Sequence, residues 1–146
     1  MMLYLDSSAL VKCHLAERDS KQVIDLTERA EVLSTSLLSR TEVAAAVAKA
    51  VRLGSLSAES GRKAQRAFLG QWKDLAKIPV TEALLSRADT LAWDCALRAY
   101  DAVQLASALT WQESVGMPVT LATFDRQLWE AGQKAGMAVF SAKLTG

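Results

Sequence analysis

Cysteine, histidine, proline and surplus charge are all scarce in this 146-residue chain. The 2 cysteines, Cys13 and Cys95, stand far apart and form no C-x-x-C element. That excludes a thioredoxin-like redox pair and, with His14 as the single histidine, any zinc-finger spacing. Each thiol falls within an apolar helical pattern, so both are expected to be buried and reduced. With 2 prolines and 7 glycines there is no composition for a disordered linker, and no internal repeat is visible. Formal net charge is +1, from 17 basic and 16 acidic residues. Bulk charge therefore neither requires nor excludes a nucleic-acid partner, and any attraction must come from local patches. No apolar run reaches membrane-spanning length, because Lys49 interrupts even the Ala/Val-rich stretch. The opening Met-Met-Leu-Tyr-Leu reaches Asp6 too early for a signal sequence. A soluble cytoplasmic protein with no membrane partner is the expectation.

What is present suits one globular domain over residues 1–146, with 51% hydrophobic residues to build a core. Short apolar runs alternate with longer helical patterns, the signature of an α/β protein with a mostly parallel central sheet. Strands are predicted at Met2–Leu5, Val32–Thr35, Val119–Ala122 and Met137–Phe140. A further edge strand is predicted around Ile78-Pro79-Val80, since proline cannot donate to a central ladder. Helices are expected over Ser7–Ala16, Lys21–Ala30, Ser39–Leu53, Ser57–Trp72, Thr81–Ala96, Tyr100–Gln112 and Asp125–Ala135. Gly54 and Gly136 are placed to stop two of them. The pair Ser39–Leu53 and Ser57–Trp72 has no strand between its members and reads as a helical hairpin that projects from or caps the sheet.

Four acids fall at the ends of these elements. Asp6 ends the first strand and Asp125 follows the strand at Val119–Ala122. In a parallel sheet the carboxyl ends of the strands share one rim, where ligands bind at the reversal of strand order. Asp101 and Glu42 lie in first turns of helices, which also face that rim. Four converging carboxylates disfavour one another's ionised state unless a cation joins them. Oxygen donors suit hard ions such as Mg²⁺ or Mn²⁺. One such ion lowers the pKa of a bound water, and a second, ~3.5–4 Å away, stabilises a leaving oxygen. Such chemistry needs neither a histidine base nor a nucleophilic side chain.

Each acid also has a purely structural alternative. Asp6 and Asp125 suit helix N-caps. Ser39-Arg40-Thr41-Glu42 matches a capping box with Glu42 reaching back to Ser39. Asp101 suits a helix dipole.

Taken together, these segments resemble the motifs of the PIN-domain ribonucleases. Leu-Tyr-Leu-Asp-Ser-Ser-Ala-Leu-Val-Lys is similar to the opening of that family, and Ser-Arg-Thr-Glu-Val to its second acidic motif. Leu-Arg-Ala-Tyr-Asp-Ala-Val-Gln-Leu-Ala-Ser-Ala-Leu resembles the third, and Ala-Thr-Phe-Asp-Arg-Gln-Leu the fourth. The likeness covers essentially the whole chain, and within the family it points to the VapC toxins of toxin–antitoxin pairs. The resemblance implies a three-layer α/β/α fold and a Mg²⁺- or Mn²⁺-dependent endoribonuclease with one or two ions. It implies Asp6 and Asp101 as direct ligands, with Glu42 and Asp125 acting directly or through water. Ser7 and Thr123 sit where small hydroxyl residues support such sites. Gln104 departs from the pattern, as many relatives have histidine there; it lies three residues after Asp101, on the same helix face. An RNA substrate, a cognate antitoxin and a homodimer are the partners implied.

Other residues carry further expectations. His14 lies two turns into its helix, away from the rim, and is expected to pack or face solvent. Trp72, Trp93, Trp111 and Trp129 are expected mainly as core or interface anchors. Phe68, Leu69 and Trp72 are the exception, as candidates for an exposed apolar groove that takes a partner helix. Arg62, Lys63 and Arg66 on the hairpin are candidates for steering RNA, a solvated helix face being the alternative. A haloacid-dehalogenase-type phosphohydrolase expects Asp-x-Asp where this chain has Asp6-Ser7-Ser8. A catalytically silent PIN-like interaction module is the remaining alternative, and the presence of all four acids weighs against it.

Overall fold

A computed structural model of the chain describes residues 1–144. The last two residues of the expected domain, Thr145 and Gly146, lie outside the described residues. The strands are β1 (Met2–Leu5), β2 (Val32–Ser36), β3 (Ala76–Ile78), β4 (Val119–Ala122) and β5 (Ala138–Phe140). The helices are α1 (Ser7–His14), α2 (Ser20–Arg29), α3 (Ser39–Arg52), α4 (Ala58–Trp72), α5 (Glu82–Cys95), α6 (Ala99–Val115) and α7 (Arg126–Lys134). All five strands pair in parallel in the order β3-β2-β1-β4-β5.

β1 is the pivot of this order. Its side chains are buried on both faces, as a central parallel strand requires. The period of two sends Met2 and Tyr4 to one core, with residues of α5, α6 and α7. Leu3 and Leu5 go to the other, with residues of α1, α2, α3 and α4. Each fully buried large side chain contributes about 1.5–3 kcal/mol. The expected three-layer α/β/α arrangement is what these two cores describe. The chain builds β1, β2 and β3 outward on one side and then returns to place β4 and β5 on the other. Strand order therefore reverses between β1 and β4, the position at which parallel sheets open a crevice.

Two expectations need correction. β3 ends at Ile78 rather than running through Val80, because Pro79 has no N–H with which to extend the pairing to β2. β3 is nevertheless an edge strand. Phe68 and Trp72 do not form an exposed groove: they are 0% and 8% exposed and belong to the core beneath α4. Their spacing along α4 is that of an inward stripe, and β1, α1 and α3 supply the apolar surface that covers it. Leu69 is only partly buried against the same core. Of the other tryptophans, Trp93 is 89% exposed on α5 and so lies outside the core, whereas Trp111 is buried and Trp129 donates from Nε1 to the Ser141 carbonyl at 2.8 Å.

The helical hairpin is present as α3 and α4. Gly54, at φ +77°, takes the left-handed conformation that stops α3. His14 packs as expected, edge-on to Phe68 and 2.6 Å from the Gln71 side chain, joining α1 to α4. Cys13 and Cys95 are free and half-buried, and burial pushes the Cys13 thiol up to about 11. Among the described residues no helix is long and apolar enough to cross a membrane.

Candidate active site

Asp6 leaves the end of β1 at the strand-order reversal, and its extended backbone makes it the N-cap of α1. One carboxylate oxygen, Oδ1, accepts from the Ala9 amide at 2.9 Å and from the Ser8 hydroxyl at 2.7 Å. The other, Oδ2, accepts from the hydroxyl of Thr123, which is fully buried just beyond β4. Thr123 Oγ1 also accepts from the Asp125 amide at 3.1 Å, and Ser8 Oγ from the Phe124 amide at 2.9 Å. The turns after β1 and β4 are thereby stitched across the crevice. Asp125 in turn caps α7, with Oδ1 accepting from the Leu128 amide at 3.0 Å. Capping is thus real at both positions, and it fixes the carboxylates rather than excluding them from chemistry.

Asp101 stands in the first turn of α6, 8% exposed. Arg98 connects it to Asp125: Nε donates to Asp101 Oδ2 at 3.0 Å and Nη2 to Asp125 Oδ2 at 2.6 Å. Glu42 comes from the first turn of α3, but not as a capping box. Ser39 is the first residue of that helix instead of its cap, and the Ser36 hydroxyl accepts from the Leu38 amide at the turn before it. Ser39 is drawn inward, where its Oγ accepts from Gln104 Nε2 at 2.9 Å and its hydroxyl donates to Thr35 Oγ1 at 2.7 Å, the Thr35 hydrogen being given to the Leu5 carbonyl. Glu42 is left to face Gln104, whose Nε2 donates to its Oε1 at 2.6 Å. Gln104 Oε1 in turn accepts from the Tyr4 hydroxyl at 2.6 Å. Both ends of the Gln104 amide are therefore engaged, and its orientation is fixed. Among the described residues no buried side-chain N or O lacks a partner.

The electrostatics follow from this crowding. Burial is the main cause that raises Asp6 to about 6, against the hydrogen bonds from Ser8, Thr123 and Ala9, and the Glu42 charge adds to the rise. Glu42 is also raised, first by burial and then by Asp101, while Gln104 and Ser7 oppose the shift. Asp101 is raised by burial and by the Asp125 charge, with Arg98 pulling the other way. The charge of Glu42 thus acts on Asp6, that of Asp101 on Glu42 and that of Asp125 on Asp101. Among the described residues no three acidic, histidine or cysteine side chains close into a metal cage. The arrangement is an open run of oxygen donors, a set whose chemistry fits a hard divalent cation that keeps some of its waters.

Of the remaining candidates, Arg62, Lys63 and Arg66 are exposed on α4. Arg62 also lines a groove between α3 and α4 with Val47, Val51, Ala58 and Gly61.

The model of the PIN domain family matches residues 3–134. The chain belongs to the PIN-domain family. Ribonuclease VapC45 of Mycobacterium tuberculosis is 34% identical over 144 residues, which cover 98% of this PIN domain and 97% of that protein. A solved structure from Pyrobaculum aerophilum superposes with a TM-score of 0.65 at 22% identity, covering 95% of this chain and 83% of that one. A toxin–antitoxin complex from Klebsiella pneumoniae gives 0.57 at 18% identity, covering 86% and 87%. These two likenesses show the PIN fold.

Sequence reasoning missed three participants in this PIN domain. Ser8 and Tyr4 have short side chains or strand positions that read as packing, and only the fold shows what they touch. Arg98 precedes Asp101 by three residues, which reads as an ordinary helical ion pair. Its second partner, Asp125, is 27 positions further along than Arg98 and gives no local signal.

Proposed function

We propose that this PIN domain is an endoribonuclease that uses one or two Mg²⁺ or Mn²⁺ ions, and that it is the toxin of a toxin–antitoxin pair. The observation that carries the reading is a linked set of acids at the β1/β4 crevice, Asp6 tied through Thr123 to Asp125, Asp125 through Arg98 to Asp101, and Glu42 held by Gln104 of the helix that carries Asp101, in a chain that matches a named ribonuclease over nearly its full length. Asp6 and Asp101 hold the ion directly, and Glu42 and Asp125 hold it directly or through water. Thr123 and Ser8 fix Asp6, while Gln104 and Ser7 orient Glu42. A divalent cation bound there supplies Lewis acidity to phosphodiester hydrolysis. In the net reaction water adds across one P–O bond, leaving a phosphate monoester on one fragment and a hydroxyl on the other.

The partner in this reading is an antitoxin with an extended or helical segment. Its seat is the groove between α3 and α4, since Phe68 and Trp72 are buried. Support comes from the solved relative described as a toxin–antitoxin complex. Two copies of the chain pair through helix faces, for which the exposed Trp93 and Leu85 of α5 supply apolar surface. Haloacid-dehalogenase chemistry finds no second acid beside Asp6, whose neighbours are Ser7 and Ser8.

The test is RNA cleavage with Mg²⁺ or Mn²⁺ by the wild type, Asp6→Ala and Asp101→Asn, with each variant's thermal unfolding recorded. Loss of cleavage in both folded variants and in EDTA is expected. Activity that survives EDTA, or persists in both variants, refutes the mechanism.

A further inference from the structure

Arg98 carries a positive charge into a site otherwise built from acids. It precedes α6 in extended conformation, and its side chain is 64% exposed, against 11% for Asp101 and 28% for Asp125. Two different nitrogens of one guanidinium reach two different carboxylates, one from each of two helix starts. Among the described residues it is the one basic group paired with any of the four acids. One positive charge thus serves two negative ones, and the oxygens it occupies, Oδ2 of each aspartate, are the kind of donor a hard cation needs.

We infer that Arg98 is a displaceable counter-cation of the Asp101–Asp125 pair, which yields these carboxylates to the divalent ion and then contacts the RNA phosphate at the cleavage point. This rests on the proposed function above. Three physical points carry it. A solvent-exposed guanidinium holds its partners weakly, so a divalent ion can take its place. Its backbone anchor precedes Asp101 by three residues, so the freed group remains at the mouth of the crevice. A guanidinium's planar fork of N–H donors suits a phosphate as well as a carboxylate, and it remains charged at every working pH. Exchange of partners also keeps the local charge balanced: the ion neutralises the acids as the arginine meets the incoming anion.

Mn²⁺ binding by calorimetry, and binding of a fluorescent single-stranded RNA in Ca²⁺ with its integrity checked on a gel, test the inference in the full chain. Arg98→Ala should bind Mn²⁺ about three- to fivefold more tightly, because a weak competing pair has gone. The same variant should bind RNA more weakly, with a salt slope smaller by about 0.7, the signature of one lost phosphate contact on a single strand. Arg98→Lys keeps the charge but loses the fork, and should fall between wild type and Arg98→Ala in both measurements. Unchanged or weaker Mn²⁺ binding in Arg98→Ala, or an unchanged RNA salt slope, overturns the inference while leaving the proposed function in place. A wild type that binds neither Mn²⁺ nor RNA removes both.

Discussion

The buried carboxylate of Asp6 makes the stability of the metal-free protein fall as pH rises. Asp6 is 3% exposed, and burial lifts it from an ordinary 3.8 to about 6. Between those values the folded chain retains a proton that the unfolded chain has released, so unfolding releases a proton and higher pH favours it. The contribution is fully present below about pH 4, declines as pH climbs towards 6, and is gone above that. A shift of about 2 units corresponds to about 3 kcal/mol, an order-of-magnitude value. Asp6→Asn removes this term. Its amide oxygen can still accept from Ser8 and Ala9, but its nitrogen must face Thr123, whose hydroxyl has to turn from donor to acceptor. That rearrangement gives a constant offset, so the slope with pH is the test and not the intercept. Urea denaturation of both proteins in EDTA, from pH 4 to 7.5, should show the variant gaining about 3 kcal/mol on the wild type across the range. A difference that stays flat, or that shrinks as pH rises, refutes the reasoning.

Other perturbations probe the supports of the site. Gln104→Leu removes the carbonyl that accepts from the Tyr4 hydroxyl and the amide that donates to Glu42 and Ser39, and should cost about 3 kcal/mol in urea denaturation, a lost partner accounting for about 1–3 kcal/mol. Gly132→Ala would place a methyl 2.8 Å from Leu121 Cδ2 and 3.2 Å from Val139 Cγ1. Overpacking of about 1–3 kcal/mol then exceeds the helix-propensity gain of about 1 kcal/mol, so calorimetry should find a lower Tm. Reversing Arg62, Lys63 and Arg66 to Glu should weaken RNA binding and flatten its salt dependence in a fluorescence titration, while urea stability stays within about 0.5 kcal/mol.

Much of the architecture was legible in the sequence because its signals are local. β1 is a short apolar run ended by a capping acid, α3 runs from a serine to a glycine stop, and parallel pairing follows from the alternation of strands and helices. Where expectation failed, the deciding contact lay elsewhere in the chain. Phe68 and Trp72 have the spacing of an apolar helix face whether that face meets solvent, a partner or the core. Only their packing beneath α4 settles it. Pro79 sits in the apolar run Ile78-Pro79-Val80 that reads as a strand, yet its missing N–H ends β3 one residue earlier.

The acids show the same division more sharply. Asp6 and Asp125 are visible as caps, and their capping is real, yet a cap uses only part of a carboxylate's capacity. What distinguishes a site from a set of caps is what engages the remaining oxygens. For Asp6 it is the Thr123 hydroxyl, 117 positions away; for Asp125 it is Arg98. Glu42 makes the contrast complete. Its local pattern pointed to a capping box, which would have turned the carboxylate back onto its own helix. Ser39 is instead drawn into the core by Thr35 and Gln104, so the helix begins without that box and Glu42 is released towards Asp6 and Asp101. A buried serine therefore decides whether Glu42 turns back to its helix end or faces Gln104 in the crevice, and no spacing rule within residues 39–42 carries that information.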